Sequence, residues 1–204
     1  MALRSFAPSL IRLENPLPHF LISGIAALGS EVTAALAAEG STAVRVDDIA
    51  DVAAVCADAG PGAFGGYIQL PATFTVSGET AVDRVHHFFS DGVLARFPAV
   101  AAALPTLVDS ARITFVMGVL PPEVSTDDDV AARAALVRVL GRGARADGPK
   151  DLRISMLASG VSAKEIALTA LGRNPDLEQL ADGPEGESYA DWRVELLGMI
   201  SAEM

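Results

Sequence analysis

Residues 19–32 read His19-Phe20-Leu21-Ile22-Ser23-Gly24-Ile25-Ala26-Ala27-Leu28-Gly29-Ser30-Glu31-Val32. An apolar run enters a glycine turn and leaves it as an alanine-rich segment. A strand that hands straight to a helix must find its next strand in parallel, with the helix across one face of the sheet. The turn also leaves a helix N-terminus, with free N–H groups and the positive dipole end, at a place where a diphosphate could be held. The same residues also suit a tight turn that holds no ligand.

The rest of the chain continues the alternation, which predicts an α/β fold with a parallel sheet between helices. The reading gives strands at 19–23, 42–46, 67–70, 112–118 and 152–157. Helices are expected at 28–39, 48–58, 81–108, 127–141 and 162–172. Gly40 closes the first helix, and Gly60 to Gly66 read as a loop. Pro71 stops the third strand. The long stretch 81–108 carries a broad apolar face from Val85 to Leu104, and Pro98 and Pro105 must kink or break it. Leu120-Pro121-Pro122 reads as a loop. Residues 1–18 read as an irregular arm, 174–188 as an acidic polar segment, and 189–201 as a one-sided apolar helix. Tyr189 and Arg193 share a Y-x-x-x-R spacing there, beside Trp192, and read as packing or interface residues. No internal repeat and no second domain is visible.

Composition narrows the function classes. A chain of 204 residues suits one domain that buries roughly 70% of its unfolded surface. Half of the residues are apolar and the formal charge is −11. The only lysines are Lys150 and Lys164, the other thirteen basic residues are Arg, and 26 acids outweigh them, so a nucleic-acid partner, which needs clustered Lys and Arg, is not expected. The run from Phe20 to Gly29 is too short to span a bilayer, which takes about 20 residues. It reads as a strand and turn rather than a targeting segment, and no membrane association is expected. Cys56 is the single cysteine and reads as a small core residue, which fits a reducing cytoplasm.

Candidate site residues are few. Asp47 follows the second strand and stands 23 positions after Gly24. An acid there can take a ribose diol and favour NAD, or can cap the next helix. His86 and His87 are adjacent and face different sides of a helix, not the i,i+4 pattern of a zinc motif. Asp127-Asp128-Asp129 reads as a helix start, and no metal site is expected. No G-x-S-x-G elbow and no Gly-Lys-Ser/Thr loop occurs.

The order of segments across 19–172 resembles the short-chain dehydrogenase/reductase family. Gly24-Ile25-Ala26-Ala27-Leu28-Gly29 resembles its dinucleotide turn, with Ala26 at the second glycine of G-x-G-x-x-G. Val82-Asp83-Arg84-Val85 with Gly92, and Ala103-Leu104-Pro105, resemble the start and end of its central helix. Arg112 to Met117 resembles the strand before the catalytic serine. Arg133-Ala134-Ala135-Leu136 resembles its K-A-A-L, and Leu152 to Gly160 the strand that ends in Pro-Gly. The resemblance implies a Rossmann-like, doubly wound three-layer sheet in one domain over 19–204, with a truncated C-terminal substrate region. It implies cofactor contacts at Gly24, Ile25, Ala26, Leu28, Gly29, Asp47 and Arg133, with NAD as the possible cofactor.

The departures fall at the chemistry. The family's catalytic Tyr and Lys land on Asp129 and Arg133, the Ser on about Met117 or Gly118, and the helix Asn on Phe89. Gln69-Leu70-Pro71-Ala72 replaces N-N-A-G. An ionised Asp cannot donate the proton that the Tyr supplies, so no catalytic residue is assigned. The expected function is a non-catalytic binding or assembly subunit that retains weak nucleotide binding. The alternative is an NAD(P)-dependent oxidoreductase with a rearranged site, in which Arg133 holds the ribose. A third possibility is a sensor that binds nucleotide without turnover. The resemblance implies subunit pairing through the helices at 81–108 and 128–141, in a homo-oligomer or in a hetero-oligomer with an active relative or another protein. A tyrosine and a basic group meeting beside the cleft from elsewhere in the chain would count against the non-catalytic reading.

Overall fold

The computed structural model describes residues 19–72, 75–120 and 125–174. The arm expected over 1–18, the Pro121-Pro122 loop and the segments expected beyond residue 174 lie outside them. So do Tyr189, Trp192 and Arg193.

Five strands form one sheet: β1 His19–Ser23, β2 Thr42–Val46, β3 Phe64–Gln69, β4 Leu107–Val116 and β5 Arg153–Leu157. Their order is β2-β1-β3-β4-β5, and every neighbouring pair is parallel. The helices are α1 Ala26–Ala38, α2 Val52–Ala59, α3 Ala81–His87, α4 Arg96–Ala103, α5 Asp127–Asp147 and α6 Ala163–Ala170. Side chains alternate across each strand. Phe20 and Ile22 of β1 join one apolar cluster with Val32, Leu36, Ile166 and Ala170 of α1 and α6. Leu21 joins another with Val52, Ala99, Val137 and Leu140 of α2, α4 and α5. Helices therefore cover both faces, and the sheet is doubly wound as expected. The order 2-1-3-4-5 leaves β2 at an edge, and its central residues stay partly exposed. The order reverses between β1 and β3, where ligands of open α/β sheets sit beyond the strand ends.

The boundaries that differ have local causes. β3 begins at Phe64, three residues before the strand expected from the sequence. Gly65 and Gly66 read as loop residues, yet they belong to the strand because Phe20 lies against it. A Cβ on Gly66 would sit 2.7 Å from the Phe20 ring; a strand glycine here marks close approach, not a turn.

The stretch read as one helix over 81–108 is four pieces. A capping box of Thr80 and Asp83 opens α3. A π-helical segment follows over Phe88–Leu94, then α4, then a 3-10 turn over Leu104–Thr106. Pro98 does not break α4; it lies in the first turn, where its missing N–H costs nothing. β4 starts five residues earlier than expected. Phe64 pairs with Leu107 but Gly66 with Arg112, so β4 bulges between those pairs and Ser110 takes φ +61°. α1 begins at Ala26, before the expected 28, and α5 runs to Asp147, beyond the expected 141.

Candidate functional site

The turn at the end of β1 is built on Gly24, whose φ is +115°. Its N–H donates to Val46 O at 3.1 Å, and Leu70 N–H donates to Ser23 O at 2.8 Å. Ile25 N–H donates to Pro71 O at 2.9 Å, so that N–H is not free for a diphosphate. A Cβ on Gly24 would lie 2.7 Å from both Leu70 O and Pro71 O. Gly24 is therefore required by the packing of the β1 and β3 ends, ligand or not.

The first intrahelical bond of α1 is Gly29 N–H to Ile25 O. The N–H groups of Ala26, Ala27 and Leu28 have no i−4 carbonyl inside the helix. No side chain caps them, and no acid stands in the first turn. Ala26 and Ala27 are exposed. This is an open, uncompensated positive dipole end at the sheet's switch point. Gly29 is buried against β2, where a Cβ would meet Arg45 Cδ at 3.0 Å.

Asp47 does not cap the following helical turn. Asp48 does, its Oδ1 accepting Ala50 N–H at 2.9 Å. Asp47 instead pairs with Arg45, Nε to Oδ1 at 2.7 Å. Arg45 Nη1 also reaches Ser30 Oγ on α1. The edge of the switch point thus presents a cation paired to an acid rather than a free carboxylate.

Asp129, at the position where the resemblance places the tyrosine, belongs to the N-terminal cap of α5. Its carboxylate accepts from Thr126 Oγ1 at 2.5 Å and from Thr126 N–H at 3.3 Å. Thr126 Oγ1 in turn accepts Asp129 N–H at 3.2 Å. The reciprocal pair satisfies two helix-end groups, and the acidic run starts the helix as its charges predict. One turn later Arg133 lies against the end of β4, where Nη1 donates to Gly118 O at 2.7 Å. Met117 is buried there at the strand end.

A tyrosine and a cation do converge beneath this region, which the sequence did not show. Tyr67 shares a hydrogen bond of 2.7 Å with Ser23 Oγ. Gln69 Nε2 donates to Tyr67 Oη at 3.1 Å and to Arg96 O at 3.3 Å. Tyr67 has no exposed surface, and burial pushes its phenol up to about 12. A reductase tyrosine needs its pKa lowered and its hydroxyl in the cleft. Tyr67 has neither, and serves as a core polar link. Arg96 is the other residue the sequence concealed. It stands among apolar neighbours on α4, where one Arg reads as a surface snorkel. It is instead buried, with Nη2 donating to Val116 O at 3.1 Å.

Two cavities open at the strand ends. One, about 50 Å³, is lined by Pro71, Phe88, Gly92, Arg96, Gly118 and Arg133, among others. The other, about 230 Å³, is lined by Met117, Arg133, Met156 and Ser159, among others. No tyrosine, histidine or carboxylic acid of the described residues lines either.

His87 Nδ1 accepts Ser77 N–H at 2.9 Å, and Nε2 lies 2.9 Å from Asp91 Oδ2, so it serves the local fold. Among the described residues, no group of three or more His, Cys, Asp or Glu is placed to hold a metal. Cys56 is buried, and burial raises its thiol pKa. No described helix is long and apolar enough to cross a membrane.

No protein-family profile and no curated protein matches the sequence. Solved structures match the fold. The protein lin1944 from Listeria innocua aligns with TM-score 0.56 and 17% identity, over 81% of this chain and 97% of that one. A mutant of a Serratia marcescens short-chain dehydrogenase/reductase gives 0.58 at 17% identity, over 82% and 96%. BdcA in complex with NADPH gives 0.53 at 17% identity, over 81% and 91%. The architecture is a Rossmann-like α/β fold shared with these structures, the Serratia short-chain dehydrogenase/reductase among them: a parallel five-strand sheet flanked by helices.

Proposed function

We propose that this chain is a non-catalytic relative of the short-chain dehydrogenases that binds a nicotinamide dinucleotide at the α1 turn and works as a binding or assembly subunit. The observation that carries the reading is the use made of Asp129. Where a reductase would hold its proton donor, this chain has a helix cap, and its one described tyrosine is sealed in the core. The oxidoreductase reading draws on Arg133, which reaches the end of β4 as a ribose-holding cation would; it lacks a tyrosine, histidine or carboxylic acid among the described cavity-lining residues. BdcA was crystallised with NADPH, which supports nucleotide binding on this fold. The diphosphate would take the free N–H groups at the start of α1. The Arg45–Asp47 pair neutralises the diol acceptor and offers a cation, so we expect no preference against the 2′-phosphate, unlike the NAD preference expected from Asp47 alone.

A thermal-shift titration with NADH, NADPH and both oxidised forms tests this. At a hundredfold excess over Kd a binder gains about 2.7 kcal/mol, or roughly 5–10 °C for a chain of this length. Ala27→Glu adds an acid at an exposed position of the α1 first turn, so it should keep the fold and remove the shift. No shift with any of the four nucleotides would overturn the reading.

The assembly part rests on α4 and α5. An open groove of about 390 Å³ between them is lined by Phe97, Ala101, Leu104, Val139 and Gly143, with few polar atoms. Pairing with a second copy would cover it. Sedimentation should give a dimer or larger for the native chain and a monomer for Ala101→Glu; a native monomer contradicts it.

A further inference from the structure

Arg96 and Arg133 are a charge problem that the described residues do not solve. Arg96 is 7% exposed, and its Nη1 is buried without a hydrogen-bond partner. Arg133 is half-buried, and its Nε is likewise buried without a partner. Each guanidinium is tied to the end of β4 by one bond only, to Val116 O and Gly118 O. Those carbonyls are two residues apart on one chain and both guanidinium groups line one cavity, with Arg96 Nη1 and Arg133 Nε each left buried and unpartnered. Both line the smaller cavity, whose other walls include Pro71, Phe88 and Val93. No described carboxylate pairs with either. Burial pushes the Arg96 guanidinium down to about 10, and repulsion from Arg133 adds to the fall.

Buried cations without an anion are costly, and proteins normally pair them. The π-helical segment Phe88–Leu94 supplies Phe88, Gly92 and Val93 to the same cavity. Such segments are rare and are frequent at functional sites.

We propose that Arg96 and Arg133 form a binding site for the carboxylate of a small organic acid at the carboxyl ends of β3 and β4. A carboxylate has two oxygens, one for Arg96 Nη1 and one for Arg133 Nε. Its size and single charge fit a cavity of about 50 Å³ with apolar walls better than a fully hydrated phosphate dianion does. Arg133 also borders the cavity of about 230 Å³, which has room for the body of the acid. The site goes beyond the nucleotide reading and does not depend on it.

The test is a calorimetric and thermal-shift titration of the full chain, without nucleotide, at constant ionic strength. The probes are formate, acetate and butyrate, with acetamide as the neutral match and inorganic phosphate as the competing oxyanion. The expected result is a saturable rise in Tm with the carboxylates and none with acetamide. Arg96→Met and Arg133→Met should each weaken acetate binding about tenfold or more, as loss of a charge-assisted hydrogen bond predicts. Arg133→Lys, which keeps the charge but loses Nε, guards against a variant that fails to fold and should weaken binding similarly. The proposal is overturned by any of three results. These are no saturable response to any carboxylate, equal responses to acetate and acetamide, or binding of phosphate alone.

Discussion

Replacing Gly24 with alanine is expected to lower the Tm by roughly 10 °C. The added Cβ would lie 2.7 Å from the carbonyl oxygens of Leu70 and Pro71, at a φ of +115°. Neither oxygen is free to retreat. Pro71 O accepts Ile25 N–H, and Leu70 is anchored through its N–H to Ser23 O. Backbone strain of about 1–3 kcal/mol adds to a similar cost for the steric conflict. A total of about 3–4 kcal/mol converts at about 2–4 °C per kcal/mol. Gly60→Ala is the control: φ is +78° and nothing lies within 4 Å, so only the backbone strain of about 1–3 kcal/mol remains there, without the steric conflict. Equal, small losses at both sites would show that the β1 turn is not clamped by the end of β3. The clamp also means that no Gly24 substitution can report on nucleotide binding alone.

Arg96→Met is expected to stabilise the ligand-free chain at neutral pH. Burial pulls the guanidinium down from its ordinary range to about 10, a penalty on the order of 3 kcal/mol. Methionine removes it and leaves Val116 O without its donor, a loss of about 1 kcal/mol. A net gain of about 1–2 kcal/mol raises the Tm by a few degrees. The pH dependence has a definite sign. A depressed Arg pKa is a cost fully present below pH 10 and relieved as pH rises above it. The Tyr67 phenol, raised from 10.0 to about 12, contributes stability that is present below pH 10 and lost as pH rises to 12. In the native chain these slopes oppose each other between pH 10 and 12. In the variant only the falling slope remains, so its advantage should shrink above pH 10. Urea unfolding at neutral and alkaline pH reads both effects. A destabilised variant at neutral pH would mean that Arg96 already has its anion.

Much of the fold could be read from apolar runs and their punctuation. β1, β2 and β5 carry enough β-branched and apolar residues to mark themselves. The sequence signals a shorter β3 because Gly65-Gly66 carries a loop signature; only the ring of Phe20, forty-odd residues earlier, makes glycine a strand residue there. β4 was shortened because Asp109-Ser110 interrupts it, and that interruption is a bulge paid back by pairing on either side. Pro98 signals a kink or break because its distance from the true helix start, set by the π-helical segment, is not written in periodicity.

The site was legible in part. Gly24 and the free end of α1 follow from residue type and order. Asp47 was placed at the right strand end, but its partner Arg45 precedes it by two residues, and pairing between neighbours on one strand face has no helical signature. Arg96 and Tyr67 were not legible as a pair. They lie on a helix and a strand, and only the sheet order brings them together. A lone Arg or Tyr among apolar residues gives the same pattern whether it is sealed in or reaches water.

The central claim is that the reductase scaffold persists here without its proton-delivery machinery. The direct measurement is hydride transfer. The chain is saturated with NADH or NADPH, mixed with a broad panel of carbonyl compounds, and followed by loss of the reduced-nicotinamide absorbance. The account predicts a bound nucleotide and no substrate-dependent oxidation across the pH range in which the chain stays folded. Turnover that depends on the carbonyl compound and disappears in Arg133→Met would contradict it.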